Sequence, residues 1–479
     1  SGRNSSGAPR AGEPGRRAGA ALGGLVETSL TPGRAAGPGG RPPRPGACTR
    51  PRVPEAARRA RYHPAMHRLE RIQAELRRQS LDGWLIYDFR RSNPLAQPLV
   101  RPLLEGNVAS RRVLLYVPAA GRPTLAVHAI ERGSLKADLP VEVVSYSSRR
   151  SFDETLTRLL DGARRVAMEY SPEGDNPYVG TVDAGTVERV RATGVEVVSS
   201  GDVAQVLELW TPAQLDDHLT AAAGVVAAKD EAFAFLSERC AAGAGVSETQ
   251  VQALITARFD ALGLVYDHAP NVSFGAHAGD PHYHPIPGER DAVLAPGDVV
   301  LIDLWAKVDR PEAPYADVTW MGVFGEPAPE VEAAWEAVRE ARDAAFRAIA
   351  EAYQAGRWPT GAEVDRAARQ VLEAAGHGAA FTHRTGHSLG LDATHGRAAH
   401  LDDFETRDLR LLRPGLGVTI EPGAYYPSYG IRSEVDVYLS EDGPLATTEL
   451  QGDLERLGAP TPPSSRRPWW WSATTPGTC

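Results

Sequence analysis

Between residues 66 and 206, short apolar runs alternate with stretches of helical periodicity. Leu69, Ile72 and Leu76 fall at helical spacing just after Met66, and strand-like runs follow at 83–87, 112–117, 123–127, 141–144 and 165–169. Such alternation predicts an α/β domain over 66–206. A long helix is predicted to begin at Thr211-Pro212-Ala213-Gln214, where Thr can cap, Pro can sit in the first turn and Gln can close a capping box. The same signature recurs at Ser247–Gln250 and Thr360–Glu363, ahead of helices that end near Gly263 and Gly376. Between and after these helices lie further strand-like runs at 297–305, 315–324, 418–423 and 431–438. Helices interleaved with strands predict a second domain, of α+β type, over 207–455.

Four of these apolar runs contain an acidic residue: Asp303, Asp317, Glu421 and Glu434. A buried ionised carboxylate is so costly that it neutralises unless a cation or a metal holds it. Between the second and third of them lies Gly386-His387-Ser388-Leu389-Gly390. Four carboxylates and one imidazole ask for a large positive charge, which two divalent cations sharing bridging carboxylates would supply. An oxygen-rich set with one nitrogen suits Mn, Co, Fe or Zn better than a thiolate site. Successive members are 14, 70, 34 and 13 residues apart, so only tertiary folding can bring them together.

The order Asp, Asp, His, Glu, Glu, with GHSLG around the His and IEPG around the first Glu, resembles the M24 family metallopeptidases of the creatinase and methionine aminopeptidase superfamily. Within it the sequence is similar to the Xaa-Pro aminopeptidase and prolidase branch, over roughly residues 66 to 450. The resemblance implies a creatinase-like N-terminal domain followed by a two-fold pita-bread catalytic domain. It implies that Asp303, Glu421 and His387 cap two metals while Asp317 and Glu434 bridge them. The ions are expected to be manganese, with cobalt, zinc or iron as alternatives. The activity implied is hydrolysis of the N-terminal Xaa-Pro bond of peptides by a metal-bridged hydroxide, with Glu421 accepting the proton of the attacking water. A homodimer is implied as well.

Three further histidines and an arginine join the candidate site. His282, in Asp280-Pro281-His282-Tyr283-His284, stands where the family carries a substrate-binding His followed by Tyr, and that match favours it over His284. His383, four residues before His387, matches a second substrate-contacting His; Thr382 and Gly386 around it favour a strand or loop. His395 matches the proton-handling His beyond the glycine motif, although it lies eight residues after His387 where seven is usual and Thr394 occupies the usual place. His282 and His395 would hydrogen-bond the oxyanion or the leaving nitrogen. Arg432 shares a strand face with Glu434 by the period of two, which suggests that it orients the bridging Glu; a surface salt bridge is the other reading. The segment 305–314 is about three residues longer than the common family hairpin, and Asp309 within it is a weak ligand candidate.

Charge and composition narrow the picture at the ends. Residues 1–65 hold twelve Arg against three Glu among Gly, Pro and Ala, with no periodic apolar pattern, and are expected to lack a core as an upstream extension or a transit peptide. The total of −9 less the +9 of that segment leaves −18 for the rest, which argues against nucleic-acid binding. The stretch 456–479, with Trp469-Trp470-Trp471 among Pro and Ser, is expected to be a disordered tail. Cys48 and Cys479 lie in these ends and Cys240 in a helical pattern, so no disulfide framework is expected and a reducing cytoplasm is compatible. No apolar run approaches the roughly 18 residues of a membrane span. Two other functions compete: a prolidase restricted to Xaa-Pro dipeptides, and a non-catalytic peptidase-like protein that binds peptides. A metal-free amidinohydrolase is disfavoured by the complete ligand set.

Overall fold

Strand β1 (Gly83–Phe89) lies inside a six-stranded sheet because its alternate residues feed two apolar layers. In the computed structural model, which describes residues 64–104, 110–137 and 139–458, this sheet also contains β2 (Arg112–Pro118), β3 (Thr124–His128), β4 (Glu142–Tyr146), β5 (Arg165–Met168) and β6 (Glu196–Ser199). The strand order is β4-β3-β2-β1-β5-β6. Trp84 and Ile86 pack with Leu69, Ile72 and Leu76 of the helix Pro64–Arg78. Leu85 and Tyr87 pack on the opposite side with Phe152 and Leu156 of the helix Arg149–Leu159 and with Val187 and Val190 of the helix Ala184–Arg191. The result is the α/β layering expected from the alternating runs, with β6 as a strand that the sequence pattern did not single out.

The second assembly is α+β. Strand β9 (Val299–Val308) pairs antiparallel with β10 (Ala316–Phe324), β7 (Leu264–Val265) and β8 (Asn271–Phe274). Its even positions, Val300, Ile302, Leu304 and Ala306, pack under the helices Pro212–Ala241 and Glu248–Leu262. The odd positions Val299 and Leu301 face the other core, beneath the helices Pro329–Gln354 and Gly361–Ala374. The expected capping boxes form at Thr211–Gln214 and Thr360–Glu363, and Gly263 ends its helix in the left-handed conformation (φ +68°). Strands β11 (Gly417–Ile420), β14 (Val435–Ser440) and β15 (Gly443–Ala446) form a further sheet, and β12 (Gly423–Tyr426) pairs with β13 (Tyr429–Arg432).

Three expectations need correction. The run 431–438 is not one strand: β13 ends at Arg432, β14 begins at Val435, and they belong to different ladders. The tail does not begin at 456, since β16 (Glu455–Leu457) adds in parallel to the Gly322–Phe324 edge of β10 and satisfies backbone groups that would otherwise be unpaired. The first helix starts at Pro64, ahead of Met66. Residues 1–63 and 459–479, with Cys48, Cys479 and the tryptophan triplet, lie outside the described residues. Cys240 is a free, half-buried thiol. Among the described residues no helix is long and apolar enough to cross a membrane.

Candidate metal centre

The ladder of β9 and β10 puts both aspartates on one face. Asp303 pairs with Thr319 and Trp305 with Asp317, so period-two alternation aims all four side chains the same way. Asp317 is buried, whereas Asp303 is partly open and ion-paired with the Arg432 guanidinium. Thr319 links the groups. Its hydroxyl donates to Glu434 Oε2 at 2.7 Å and accepts from Arg432 Nε at 2.8 Å. Arg432 therefore acts on Asp303 directly and on Glu434 through Thr319.

The two glutamates flank a break in a long hairpin. Ile420 pairs with Val435 on one side of it and Gly423 with Arg432 on the other. Between them stand Glu421-Pro422 and Ser433-Glu434. Pro422 has no N–H to continue the ladder, and only a longer bond, from Ser433 N to the Pro422 carbonyl at 3.3 Å, spans the gap. Arg342 Nη1 holds the Ser433 hydroxyl at 2.9 Å. The kink turns both carboxylates toward the aspartate face. This is why the one-strand reading of 431–438 fails where the chemistry sits.

His387 enters from an irregular segment laid against β11. Its N–H donates to Thr419 Oγ1 at 3.0 Å, and the same hydroxyl donates to Glu421 Oε1 at 3.1 Å. Gly386 is required by this close approach, because a Cβ there would lie 2.1 Å from the Thr419 carbonyl oxygen. The ring's Nδ1 faces the Ser388 carbonyl at 3.0 Å, leaving Nε2 directed at Asp317 Oδ2 (3.6 Å) and Glu421 Oε1 (3.5 Å).

Side-chain donors of Asp317, His387 and Glu434 all lie within 4.8 Å of one another. Asp317 Oδ1 is buried without a hydrogen-bond partner, the kind of orphaned lone pair a cation would satisfy. Burial, and then the neighbouring carboxylates, push Asp317 and Glu434 well above the usual carboxylate range. Burial raises Asp303 too, against the opposing pull of Arg432. Burial, and then the Arg384 charge, push His387 down to about 3, which keeps its imidazole neutral and able to ligate. Carboxylates that repel each other and an imidazole that rejects a proton fit a divalent cation.

The remaining candidates divide. The ring of His395 lies 4.1 Å from that of His387, and its Nδ1 accepts from Arg384 Nη2 at 3.2 Å. Thr394 turns away to Asp267, 3.4 Å from its hydroxyl. His383 is half-buried, with Nε2 2.9 Å from Tyr425 Oη, and burial lowers its pKa. His282 is exposed in the loop after β8, and its side chain joins no hydrogen bond with the cluster; only its N–H is tied, to Asp280 Oδ1 at 3.0 Å. Asp309 is exposed in the turn after β9. The residues that brace the cluster, Thr319, Thr419 and Asp436, escaped the sequence reading. Asp436 Oδ2 accepts the Asp317 N–H at 3.0 Å across 119 residues, a pairing with no local signal. The threonines did have one, since each lies two residues from an acidic residue in a strand-like run.

The sequence profile of Metallopeptidase family M24 matches residues 218–441, the stretch that holds all five residues of the proposed set. Over that stretch the chain is similar to metallopeptidase family M24. The chain carries the pita-bread fold behind a creatinase-like α/β layer, and the solved dipeptidase PepE of Mycobacterium ulcerans is similar at 27% identity and TM-score 0.58, covering 82% of this chain and 98% of that one. An Xaa-Pro dipeptidase of Bacillus anthracis, 20% identical at TM-score 0.52 over 82% and 100% of the two chains, shares the fold. Among curated relatives, the dipeptidase-named YkvY of Bacillus subtilis (strain 168) is 34% identical over 212 residues, 44% of this chain. The chain spans about half of YkvY's length, 53%.

Proposed function

We propose that this protein is a metal-dependent peptidase that hydrolyses the N-terminal Xaa-Pro bond of peptides, with Asp303, Asp317, His387, Glu421 and Glu434 holding two divalent ions. The observation that carries the reading is the convergence of Asp317, His387 and Glu434 donors within 4.8 Å beside an orphaned Asp317 oxygen. Ions held there would polarise the scissile carbonyl and make water a nucleophile near neutral pH. Glu421, whose side chain is 14% exposed against 7% for Asp317, stands at the open rim and accepts the proton of the attacking water. His395 and His383 offer ring nitrogens to charge developing on the carbonyl oxygen or the leaving nitrogen, and His282 meets the substrate from its exposed loop. Arg432 and Thr319 keep Asp303 and Glu434 in register.

Dipeptides as the preferred length are a second reading, favoured by the dipeptidase names of YkvY and PepE. Manganese as the resident ion extends the proposal and is supported by the oxygen-rich donor set. A homodimer and a cytoplasmic location complete it. Residues 66–206 are assigned to shaping one side of the site and those from 207 to the end of β16 to the chemistry. Support comes from Tyr178, whose hydroxyl accepts from Arg384 Nη1 at 2.7 Å while Arg384 also donates to His395.

The test is cleavage of Xaa-Pro and Xaa-Pro-Yaa peptides by metal-stripped protein before and after manganese or cobalt is restored. Metal-dependent release of the first residue is expected. Tight binding of metal without cleavage of either length would move the assignment to the non-catalytic peptide-binding protein.

A further inference from the structure

Trp305 follows Asp303 by two residues on β9 and pairs with Asp317 on β10, so its side chain leaves the sheet on the face of both aspartates. Directly paired residues carry Cβ atoms about 5 Å apart. The indole is therefore an immediate neighbour of the proposed centre. Others on this face are covered or engaged: Tyr315 and Asp317 are buried, and Lys307 Nζ donates to the Leu391 carbonyl at 2.8 Å. Trp305 is a large apolar side chain left half-buried beside them.

Its orientation is fixed from the far end. Nε1 donates to Asp267 Oδ1 at 2.6 Å, and Asp267 also lies 3.4 Å from the hydroxyl of Thr394, the residue before His395. The ring is thus held between the aspartate strand and the segment that carries His387 and His395. With its one N–H bonded, an indole has only apolar surface left to offer.

We propose that Trp305 is a specificity-determining residue, an apolar wall beside the carboxylate cluster that limits the size of the first residue of the peptide. The assignment to the first residue follows from position: the scissile N-terminal bond lies over the carboxylate cluster and the far carboxylate is drawn to Arg384 on the His387 side, which leaves the first side chain toward β9 and Trp305. The proposal rests on the peptidase reading.

The full chain loaded with manganese, with Trp305→Ala and Trp305→Phe beside it, is assayed on Gly-Pro, Ala-Pro, Leu-Pro and Phe-Pro. The unsubstituted protein prefers the small first residues. Trp305→Ala raises the ratio of kcat/KM for Phe-Pro to that for Gly-Pro by about tenfold or more, and Trp305→Phe by less. A ratio taken within one variant cancels any loss of folded or metal-loaded protein. A ratio that stays within about twofold in Trp305→Ala overturns the proposal, given how large a steric change the substitution makes. If the unsubstituted protein cleaves none of the four, nor the Xaa-Pro-Yaa peptides with the same first residues, the peptidase reading fails. Calorimetric binding of the same dipeptides then decides the matter: the same shift in the affinity ratio supports the wall, and an unchanged ratio, or binding of none, overturns it.

Discussion

Glu169, at the end of β5, and the pair Asp317 and Glu434 are all withdrawn from water, yet their surroundings differ in kind. Glu169 is a lone carboxylate whose Oε1 accepts from Trp84 Nε1 at 2.7 Å, and burial pushes it up to about 7. One proton is enough to settle it. Asp317 and Glu434 face each other together with Asp303 and Glu421, and protonating any one of them leaves the others in repulsion. A single buried acid is compatible with a neutral sheet interior. A converging set braced by Thr319, Thr419 and Arg432 makes sense as a cation cage.

Asp317→Ala breaks that comparison most severely. It removes a buried donor from the middle of the cluster, and peptide cleavage is expected to be lost with at least a hundredfold, in round terms (~100-fold), weaker metal binding. Metal content after dialysis, read beside activity, checks it; full metal retention would remove Asp317 from the set. Gly386→Ala comes next. The added methyl would sit 2.1 Å from the Thr419 carbonyl, so His387 must shift or the fold lose roughly 1–3 kcal/mol. A fall in both Tm and activity is expected, and an unaltered protein would show that the segment yields freely.

Thr319→Val sharpens the comparison. It keeps the shape but leaves Glu434 without its donor and Arg432 Nε without its acceptor, and a loss of about 10–100-fold in metal affinity is expected from titration of the stripped protein. An unchanged affinity would mean that the hydroxyl bridge is incidental.

Glu169→Gln has the smallest effect on cleavage, which should stay as it was. Its signature lies in the pH dependence of stability. The folded value near 7 lies above the ordinary 4.5, so the folded state keeps this proton where the unfolded chain has released it. That contribution is full below about pH 4.5, declines as pH rises toward 7 and is spent above it. Thermal melts at pH 5 and pH 7.5 should show a smaller difference for the variant than for the parent. Equal differences would mean that Glu169 titrates normally.

The sequence by itself determined the layered elements and the identity of the acidic set. Alternating runs are visible because each strand must feed a core on both sides, and a carboxylate inside such a run stands out by its cost. Capping residues at Thr211 and Thr360 fixed helix starts for a similar local reason. Tertiary structure alone decided the rest. The break between Arg432 and Val435 depends on the missing N–H of Pro422 on the opposite strand, so period-two reading of 431–438 passed straight through it. The same holds for Asp436 against the Asp317 N–H and for Trp305 clamped by Asp267. Hydrogen bonds between residues a hundred positions apart leave no period in a sequence. They exist only once the sheets and the loop over them have been packed together.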